Sequence, residues 1–520
     1  MKLTPKNKKN LIGTKSNSNS FSPIKIGYDF TTLEKPYSMN EVTFSKVKSI
    51  LKETREEFSK ILQVVHQDFD LSNLKNDVMK LCELNKIGKD YPNFLIKNDL
   101  IIFPQFLDLG EGTLAAAGPC LIGDTTYRPY GGVLYINNKL DFDITNSKIY
   151  IKNILLHEIT HILIFHPFFF QYLNLSKTEG SNSYITSKKV IEQARKHFNC
   201  SSLNKIPLEN QGGEGSVGSH WESRYMLGDY MISTDYPDSA ISDITLALFE
   251  DSGFYKVNYY SGGLFKFGKN KGCDFFNKKC IEKEKAIFNE FCDVNNEPKC
   301  SSSRTIKSSC FMVNYINNIE KEYQYFSNPN LGGYIPANYC PIPYESYSSN
   351  NYYPNHCKYG NKDSSNNYGE TIGENSFCFI SSLSTNKEIN KYAVCYEIEC
   401  DSSNKSIIVK LEDKNIIFPN EGGIINNPYG LKGSIECPKY SDICNSNDNI
   451  VCNDIYSCID MMAKKDNFNY KVSYYDYEEI DDDFNEFDEY DEFIKSINKD
   501  GNYKCNINVM IIVFFIYLCL

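Results

Sequence analysis

The stretch His157-Glu158-Ile159-Thr160-His161 (HEITH) lies on an apolar run and directs the interpretation of the whole chain. Two histidines four residues apart lie on the same side of an α-helix, because 3.6 residues make one turn. Neutral imidazole is a preferred ligand of Zn²⁺, so this spacing offers two nitrogens to one ion. Glu158 follows the first histidine and can accept a proton from a water molecule that the metal activates. The pattern predicts zinc-dependent hydrolysis of peptide bonds.

A catalytic zinc usually has three protein ligands, so a third one is sought among the seven histidines of the chain. His166 follows His161 too closely, because five residues rotate it off the ligand face of a continuous helix. His220 comes after the glycine-rich stretch 211–219 (QGGEGSVGS), where the backbone can turn back toward the metal. We predict that His157, His161 and His220 bind one Zn²⁺ ion per chain, with His166 as the weaker alternative.

Composition limits the class of protein. A chain of 520 residues with 41% hydrophobic and 23% charged residues is typical of a globular protein with several compact units. The net charge of −11 argues against nucleic acid as a partner, because phosphate binding requires basic surfaces. The acidic, aromatic stretch 474–493 is predicted to be a solvated tail or stalk.

The cysteines indicate the compartment. Fourteen of the nineteen lie between Cys273 and Cys458, a density that predicts a disulfide framework formed in an oxidising environment. Three N-glycosylation sequons, at Asn174, Asn199 and Asn404, agree with a secreted glycoprotein.

The two ends of the chain give different signals. The first 23 residues contain no apolar run, so no secretory leader is visible and the amino end is expected to be incomplete. Residues 509–520 are wholly apolar but shorter than the roughly 20 residues that span a bilayer. They are predicted to be a removable lipid-anchor (GPI) signal or, alternatively, a retained anchoring segment at the membrane.

The chain as a whole is predicted to have an α+β fold in six segments. They are a disordered leader region (1–23), an N-terminal catalytic subdomain with the HEITH helix (24–166), a central domain with the third ligand (167–272), a cysteine-rich C-terminal domain of loops and β-structure (273–460), an acidic stalk (461–508) and a hydrophobic tail (509–520).

Several motifs together resemble the leishmanolysin family of surface zinc metallopeptidases, which belongs to the metzincins. The resemblance runs from about Ile24 to about Cys444. The segments that carry it are HEITH, ENQGGEGSVGSHWESRYMLGDYMIS (209–233), LALFEDSGFYKVNY (246–259), GCDFFNKKC (272–280), YCPIPY (339–344), YAVCYEIECD (392–401) and IECPKYSDIC (435–444).

The resemblance implies roles for individual residues. Glu158 would be general base and then general acid, and His220 would be the third zinc ligand. Met231 would form an apolar turn beneath the metal without binding it. An extended peptide substrate would pair along an edge strand formed by Gly131, Gly132, Val133, Leu134 and Tyr135. The disulfides implied are Cys82–Cys120 and Cys200–Cys273, while the pairing of Cys437, Cys452, Cys458 and Cys505 stays open.

One of several departures from the family lies at the end of the HEITH helix. Ile164 stands where metzincins have a glycine, and a β-branched residue is unfavourable there if its φ is positive. Either the helix ends differently or the third ligand is displaced. Nearby, Glu222 is predicted to form a salt bridge with Arg224 rather than to act as a second acid.

The predicted function is therefore that of a zinc metalloendopeptidase that cleaves protein or peptide substrates at the cell surface. The alternative is a surface protein for cell adhesion or interaction on the same scaffold, with catalysis weakened by the change at Ile164.

Overall fold

The computed structural model describes residues 20–66, 75–88, 97–123, 126–213, 215–259, 264–345, 350–362, 368–384, 390–412, 414–444, 452–465 and 472–477. The hydrophobic tail 509–520 and Cys505 lie outside the described residues, as does the acidic stretch after residue 477.

Helices and strands are interleaved along the described residues, as expected for a mixed fold. The α-helices are α1 (Glu41–Ile61), α2 (Lys75–Leu81), α3 (Ser147–Leu163), α4 (Pro167–Tyr172), α5 (Lys188–Phe198), α6 (Ser223–Met226), α7 (Asp243–Asp251), α8 (Asp274–Asn277), α9 (Tyr440–Ile443) and α10 (Ile455–Lys465). The 3₁₀ turns are Phe30–Thr32, Lys321–Tyr323, Ile335–Ala337 and Pro428–Gly430.

The strands fall in two groups, one before and one after residue 272. The first group is β1 (Ser22–Pro23), β2 (Ile26–Tyr28), β3 (Leu62–Val64), β4 (Leu100–Leu107), β5 (Ala115–Ile122), β6 (Pro129–Asn137), β7 (Ser176–Glu179), β8 (Asn182–Ile185), β9 (Ile206–Pro207) and β10 (Tyr255–Val257). The second group is β11 (Ile281–Glu282), β12 (Lys285–Ala286), β13 (Pro298–Cys300), β14 (Lys307–Phe311), β15 (Val313–Asn314), β16 (Leu331–Gly332), β17 (Ile342–Tyr344), β18 (Ser376–Ser381), β19 (Tyr392–Asp401), β20 (Ser406–Leu411), β21 (Lys414–Phe418), β22 (Gly423–Asn426) and β23 (Ser434–Cys437).

A four-stranded sheet with the order β2-β4-β6-β5 supports the candidate site. Strands β2, β4 and β6 are parallel, and β5 runs antiparallel to β6 at one edge. Strand β6 has neighbours on both sides, so the prediction that Gly131 to Tyr135 forms the edge is wrong. Every residue of β6 is buried, which is the pattern of an interior strand. The described sheet has two edge strands, β5 next to β6 and β2 on the opposite side.

Glycine at position 132 lets the HEITH helix lie close to this sheet. A Cβ at Gly132 would come within 2.4 Å of the Ile162 side chain of α3. That distance is shorter than any ordinary contact, so a larger residue would push α3, and with it His157 and His161, away from β6.

Two large hydrophobic cores are visible in the described residues. The main core takes residues from Ile24 to Ile459, including members on both sides of 166 and of 272. The predicted boundaries at those two positions therefore do not separate cores. A second core, from Phe377 to Cys444, belongs to a six-stranded sheet with the order β21-β20-β19-β18-β23-β22. The last part of the cysteine-rich segment is thus a regular sheet.

Eight disulfides cross-link the described chain. They are Cys82–Cys120, Cys200–Cys273, Cys280–Cys340, Cys292–Cys310, Cys300–Cys378, Cys357–Cys395, Cys400–Cys444 and Cys452–Cys458. The first two are the pairs that the family resemblance implies. Cys437 is buried and forms no disulfide with another described cysteine. Because Cys120 is in β5, the first bridge fixes the edge strand to the residue that follows α2.

Among the described residues, one helical stretch, Ser147–Tyr172, could cross a membrane by its length and composition. Within the protein, 78% of its most apolar window is buried. The apolar run around HEITH is therefore explained by burial in the protein core.

Parts of both predicted polar ends belong to the fold. In the leader region, Ser22 and Pro23 form β1, which pairs with β3. In the acidic stretch, the residues 472–477, here called the return segment, lie against β2. The Tyr477 backbone donates to Tyr28 O at 3.0 Å and accepts from Phe30 N at 2.8 Å. The prediction that the acidic stalk is solvated from its start is therefore wrong for the return segment.

A buried ion pair anchors the return segment. The guanidinium of Arg55 on α1 pairs with Asp476 and stacks 4.1 Å from the ring centroid of Tyr474. The side chains of Arg55 and Asp476 are only 6% and 12% exposed. Removing one partner leaves the other charge buried without compensation, which costs far more than the loss of a surface pair.

We therefore expect Asp476→Ala to lower the free energy of unfolding by about 3–5 kcal/mol. The matched control is Asp460→Ala, which breaks the ion pair of Lys60 with a carboxylate that is 51% exposed. Its expected cost is below about 1 kcal/mol. Urea unfolding of both variants measures the difference, and equal losses would contradict a buried anchor.

Candidate metal centre

Three histidines that are distant in sequence meet at one point. The Nε2 atoms of His157 and His161 are 2.9 Å apart, and His220 Nε2 lies 3.1 Å and 3.2 Å from them. These three form the one group of metal-binding side chains found among the described residues. Four-coordinate Zn²⁺ with Zn–N bonds of about 2.0–2.1 Å places its nitrogens about 3.3 Å apart, close to the triangle observed.

Hydrogen bonds at the other ring nitrogen fix each imidazole. His157 Nδ1 lies 2.6 Å from Tyr230 O, and His161 Nδ1 lies 2.6 Å from Phe165 O. A carbonyl oxygen only accepts, so each Nδ1 carries the proton and each Nε2 presents a lone pair. His220 Nδ1 lies 3.1 Å from the backbone oxygen of Ser216 in the same way. Three lone pairs that face one another repel unless a cation lies between them, so the triad fits a metal ion.

Burial keeps these rings in the metal-binding form. It lowers the pKa of His157 to about 4 and that of His220 to about 3, and it lowers the pKa of His161 well below the ordinary value. All three are therefore neutral at pH 7, and neutral imidazole is the form that binds metal.

His166, the alternative third ligand, is not part of this group. Its Nδ1 accepts a hydrogen bond from Phe168 N at 3.2 Å and caps the amino end of α4.

The backbone at Ile164 explains how the helix ends without glycine. Its φ is −161°, an extended value that any residue adopts, so there is no left-handed strain. The amide of Phe165 donates to Thr160 O at 2.9 Å, which turns the chain and directs Phe165 O toward His161. Of the two alternatives, the helix ends differently, and His220 is not displaced.

Met231 lies in a buried turn that supports the triad from the side of His157. It is 0% exposed, and its backbone oxygen accepts from Trp221 N at 2.9 Å, next to His220. The preceding carbonyl, that of Tyr230, is the one that His157 contacts. This turn therefore holds two of the three ligands through main-chain contacts.

Sequence reasoning missed Asp229, which shapes this turn. Its carboxylate accepts from Met231 N at 2.8 Å and from Thr245 Oγ1 at 2.7 Å, and it is fully buried. Burial raises its pKa to about 6. An acidic residue two positions before the methionine was the only signal in the sequence, and such a residue is normally exposed.

Glu158 follows His157 on α3 and reaches the edge strand β5. It is 8% exposed, and burial raises its pKa to about 8, partly offset by a hydrogen bond from the backbone N–H of Ala117 in β5. A positive charge bound at the triad favours the carboxylate form and acts against that shift. The residue is thus placed to exchange a proton beside β5.

The predicted salt bridge between Glu222 and Arg224 does not form. Glu222 Oε1 accepts from the backbone N of Arg224 at 3.3 Å, capping α6, and from Asn338 Nδ2 at 3.1 Å. The Arg224 guanidinium instead donates to Phe275 O at 3.4 Å. The short helix α6 directs the two side chains to different neighbours.

Outside the triad, half-buried His197 makes the folded state sensitive to acid. It donates from Nε2 to Phe267 O at 2.8 Å, and burial lowers its pKa to about 4. Between pH 6.5 and 4 the unfolded chain binds a proton at this histidine more readily than the folded chain does, so stability falls as the pH falls.

The variant His197→Gln removes this titrating group. Over the same pH range, we expect its free energy of unfolding to decrease by about 1–2 kcal/mol less than that of the wild type. Urea titrations at pH 7, 5.5 and 4.5 measure both slopes, and identical slopes would contradict the assignment.

Comparison with known proteins agrees with this geometry. The peptidase M8 (leishmanolysin) family model matches residues 41–450. The chain belongs to the leishmanolysin family. The family predicted from the motifs is thereby confirmed.

Curated members of the family are moderately similar to the chain. A leishmanolysin homolog of Crithidia fasciculata is 25% identical over 382 residues, covering 68% of this chain and 56% of that protein. Leishmanolysin of Leishmania tropica is 26% identical over 373 residues, with 67% and 55% covered. A leishmanolysin-like peptidase of Caenorhabditis briggsae is 30% identical over 305 residues, with 50% and 46% covered. The chain thus spans about half the length of the curated relatives that it matches.

Proposed function

We propose that this protein is a zinc-dependent metalloendopeptidase that hydrolyses peptide bonds of protein substrates. The observation that carries the proposal is the convergence of three neutral imidazoles, from α3 and from the loop before α6, with Glu158 next to His157 on α3. Family membership supports a peptidase, and the donor set supports the metal, since imidazole nitrogens suit Zn²⁺.

The reaction follows from the positions of these groups. A zinc ion, when bound, supplies Lewis acidity that polarises a carbonyl and acidifies a water molecule. His157, His161 and His220 would hold it, with their Nδ1 protons retained by backbone oxygens. Glu158 would accept the proton of the attacking water and later deliver it to the leaving amine, since a buried carboxyl with a raised pKa can do both.

Strand β5 offers a way to align the substrate. It is an edge of the described sheet, and the backbone N–H of its residue Ala117 reaches Glu158. An extended peptide would add beside β5 through main-chain hydrogen bonds, which would place one of its carbonyls near the triad. Recognition through the backbone would give broad specificity, with side-chain pockets adding preference.

A cell-surface or extracellular location is part of the proposal. Eight disulfides indicate an oxidising compartment. The asparagines of the three sequons, Asn174, Asn199 and Asn404, are exposed and so accessible to glycosylation. Membrane attachment through 509–520 is proposed from composition alone.

The adhesion alternative depended on strain at Ile164, and a φ of −161° removes that argument.

Metal removal tests the proposal. We expect purified full-length chain to contain one zinc per chain by elemental analysis and to cleave casein. A chelator should abolish cleavage and lower the melting temperature, because ligand binding to the folded state stabilises it by RT ln(1 + [L]/Kd). Stoichiometric zinc should restore both. Cleavage that survives metal depletion would exclude this mechanism.

A further inference from the structure

The three imidazoles of the triad are held in place by different kinds of contact. For His161 and His220, the backbone oxygen that fixes Nδ1 lies only four residues away along the chain. Such contacts form wherever their own turn of chain forms. For His157, the oxygen is that of Tyr230, 73 residues away. The orientation of His157 therefore depends on how the turn that holds Tyr230 docks against α3.

The side chain of Tyr230 makes a second contact with the same helix. Its hydroxyl lies 2.9 Å from Oγ1 of Thr160, which follows His157 by three residues on α3. Thr160 Oγ1 also lies 2.8 Å from Leu156 O. Because a carbonyl oxygen only accepts, the single hydroxyl proton of Thr160 is directed to Leu156. The Tyr230 hydroxyl is therefore the donor to Thr160 Oγ1.

Both hydroxyl groups are shielded from water, since Thr160 is 0% exposed and Tyr230 is 6% exposed. Water cannot readily take the place of either partner, so loss of one hydroxyl leaves the other group without compensation. The backbone amide of Tyr230 donates to Ala240 O at 2.9 Å. Tyr230 is thus held by its own loop at the amide, and it meets α3 at both its carbonyl and its hydroxyl.

We propose that Tyr230 is a positioning residue for the metal. Its hydroxyl, anchored on Thr160, holds the Tyr230 carbonyl against His157 Nδ1 and so directs His157 Nε2 to the point where the three Nε2 atoms meet. Packing alone would require only the ring, which phenylalanine would supply equally well. Since zinc binding by the triad is part of the proposed function, this role of Tyr230 rests on it.

Tyr230→Phe removes the anchor and keeps the ring. We expect the Kd of the full-length chain for zinc, measured by competition with a chromophoric chelator, to rise about tenfold, because partners that orient a metal-binding histidine contribute to affinity on this scale. The visible absorption spectrum of the Co²⁺-loaded protein should also shift. That spectrum reports the geometry of the ligands, which a loss of fold stability alone would not change.

Tyr236→Phe is the matched control. Tyr236 is 5% exposed, and its hydroxyl donates one hydrogen bond, to Pro343 O at 2.8 Å, which the substitution removes. The acceptor is not on α3, so the Kd for zinc and the Co²⁺ spectrum should match those of the wild type. Equal weakening of zinc binding by Tyr236→Phe and Tyr230→Phe would overturn the positioning role.

Changes at Thr160 test the other end of the same bond and keep the experiment decisive if Tyr230→Phe does not fold. Thr160→Val removes the acceptor and should weaken zinc binding by a similar factor, whereas Thr160→Ser keeps the hydroxyl and should bind like the wild type. The double variant, Tyr230→Phe with Thr160→Val, should bind no more weakly than either single variant, because both remove one shared interaction.

The outcomes separate this role from the proposed function. Wild-type zinc affinity in Tyr230→Phe or in Thr160→Val, or additive losses in the double variant, would overturn the positioning role and leave the proposed function intact. A wild-type chain that binds no zinc would overturn both.

Discussion

Glu158→Gln is expected to lower kcat/KM for peptide cleavage by at least about 10²–10⁴-fold, the usual contribution of a general base. Glutamine has nearly the same shape and can still meet the Ala117 backbone, but it cannot accept a proton from water. Zinc content should stay at one per chain, because the metal ligands are the three imidazoles. The loss should fall on kcat, since the amide does not block the edge strand.

A matched control is available in Glu345. This carboxyl is also 8% exposed with a pKa raised by burial to about 8, but it lies in the cysteine-rich segment, where it accepts from Asn355 N at 3.1 Å. Glu345→Gln should retain activity. If Glu158→Gln retained it as well, another group would have to be the base, and the proposed reaction would be wrong.

His220→Ala is expected to remove the metal as well as the activity. It deletes one of three nitrogens and leaves an open, two-ligand site on α3. The affinity for zinc should therefore fall by more than the 10–100-fold that is typical when a residue that hydrogen-bonds a metal ligand is mutated. Zinc content after dialysis should fall well below one per chain, with activity lost in proportion. The melting temperature should also become insensitive to added chelator.

His166→Asn is the control for His220→Ala. Asparagine can still cap α4 by accepting from Phe168 N, so the fold should be kept. Zinc content and activity should both be retained. Zinc loss in His166→Asn with retention in His220→Ala would show that the ligand set has been assigned wrongly.

The triad itself was predictable from the sequence because its signals are local or chemically narrow. The spacing of His157 and His161 sets them on one helical face, and only seven histidines compete for the third position. The glycine-rich stretch before His220 marks a turn, and a turn is what the structure has.

Other features depend on long-range pairing that no local pattern records. Strands β5 and β6 both contain small and apolar residues, and only their order in the sheet shows that β5 is the edge. The prediction that isoleucine is unfavourable at position 164 assumed a positive φ, whereas the observed φ of −161° is an extended value. The acidic composition after Tyr474 predicts solvation, yet Arg55, which is distant in sequence, buries Asp476.

The return segment closes one side of the four-stranded sheet. Tyr477 occupies the outer backbone groups next to Tyr28, so β2 cannot recruit a further strand there, while β5 stays available on the opposite side. Unpaired strand edges invite polymerisation as well as binding. Among the described strands of this sheet, β5 is therefore the edge left open to an extended polypeptide, and two copies cannot pair edge to edge through β2.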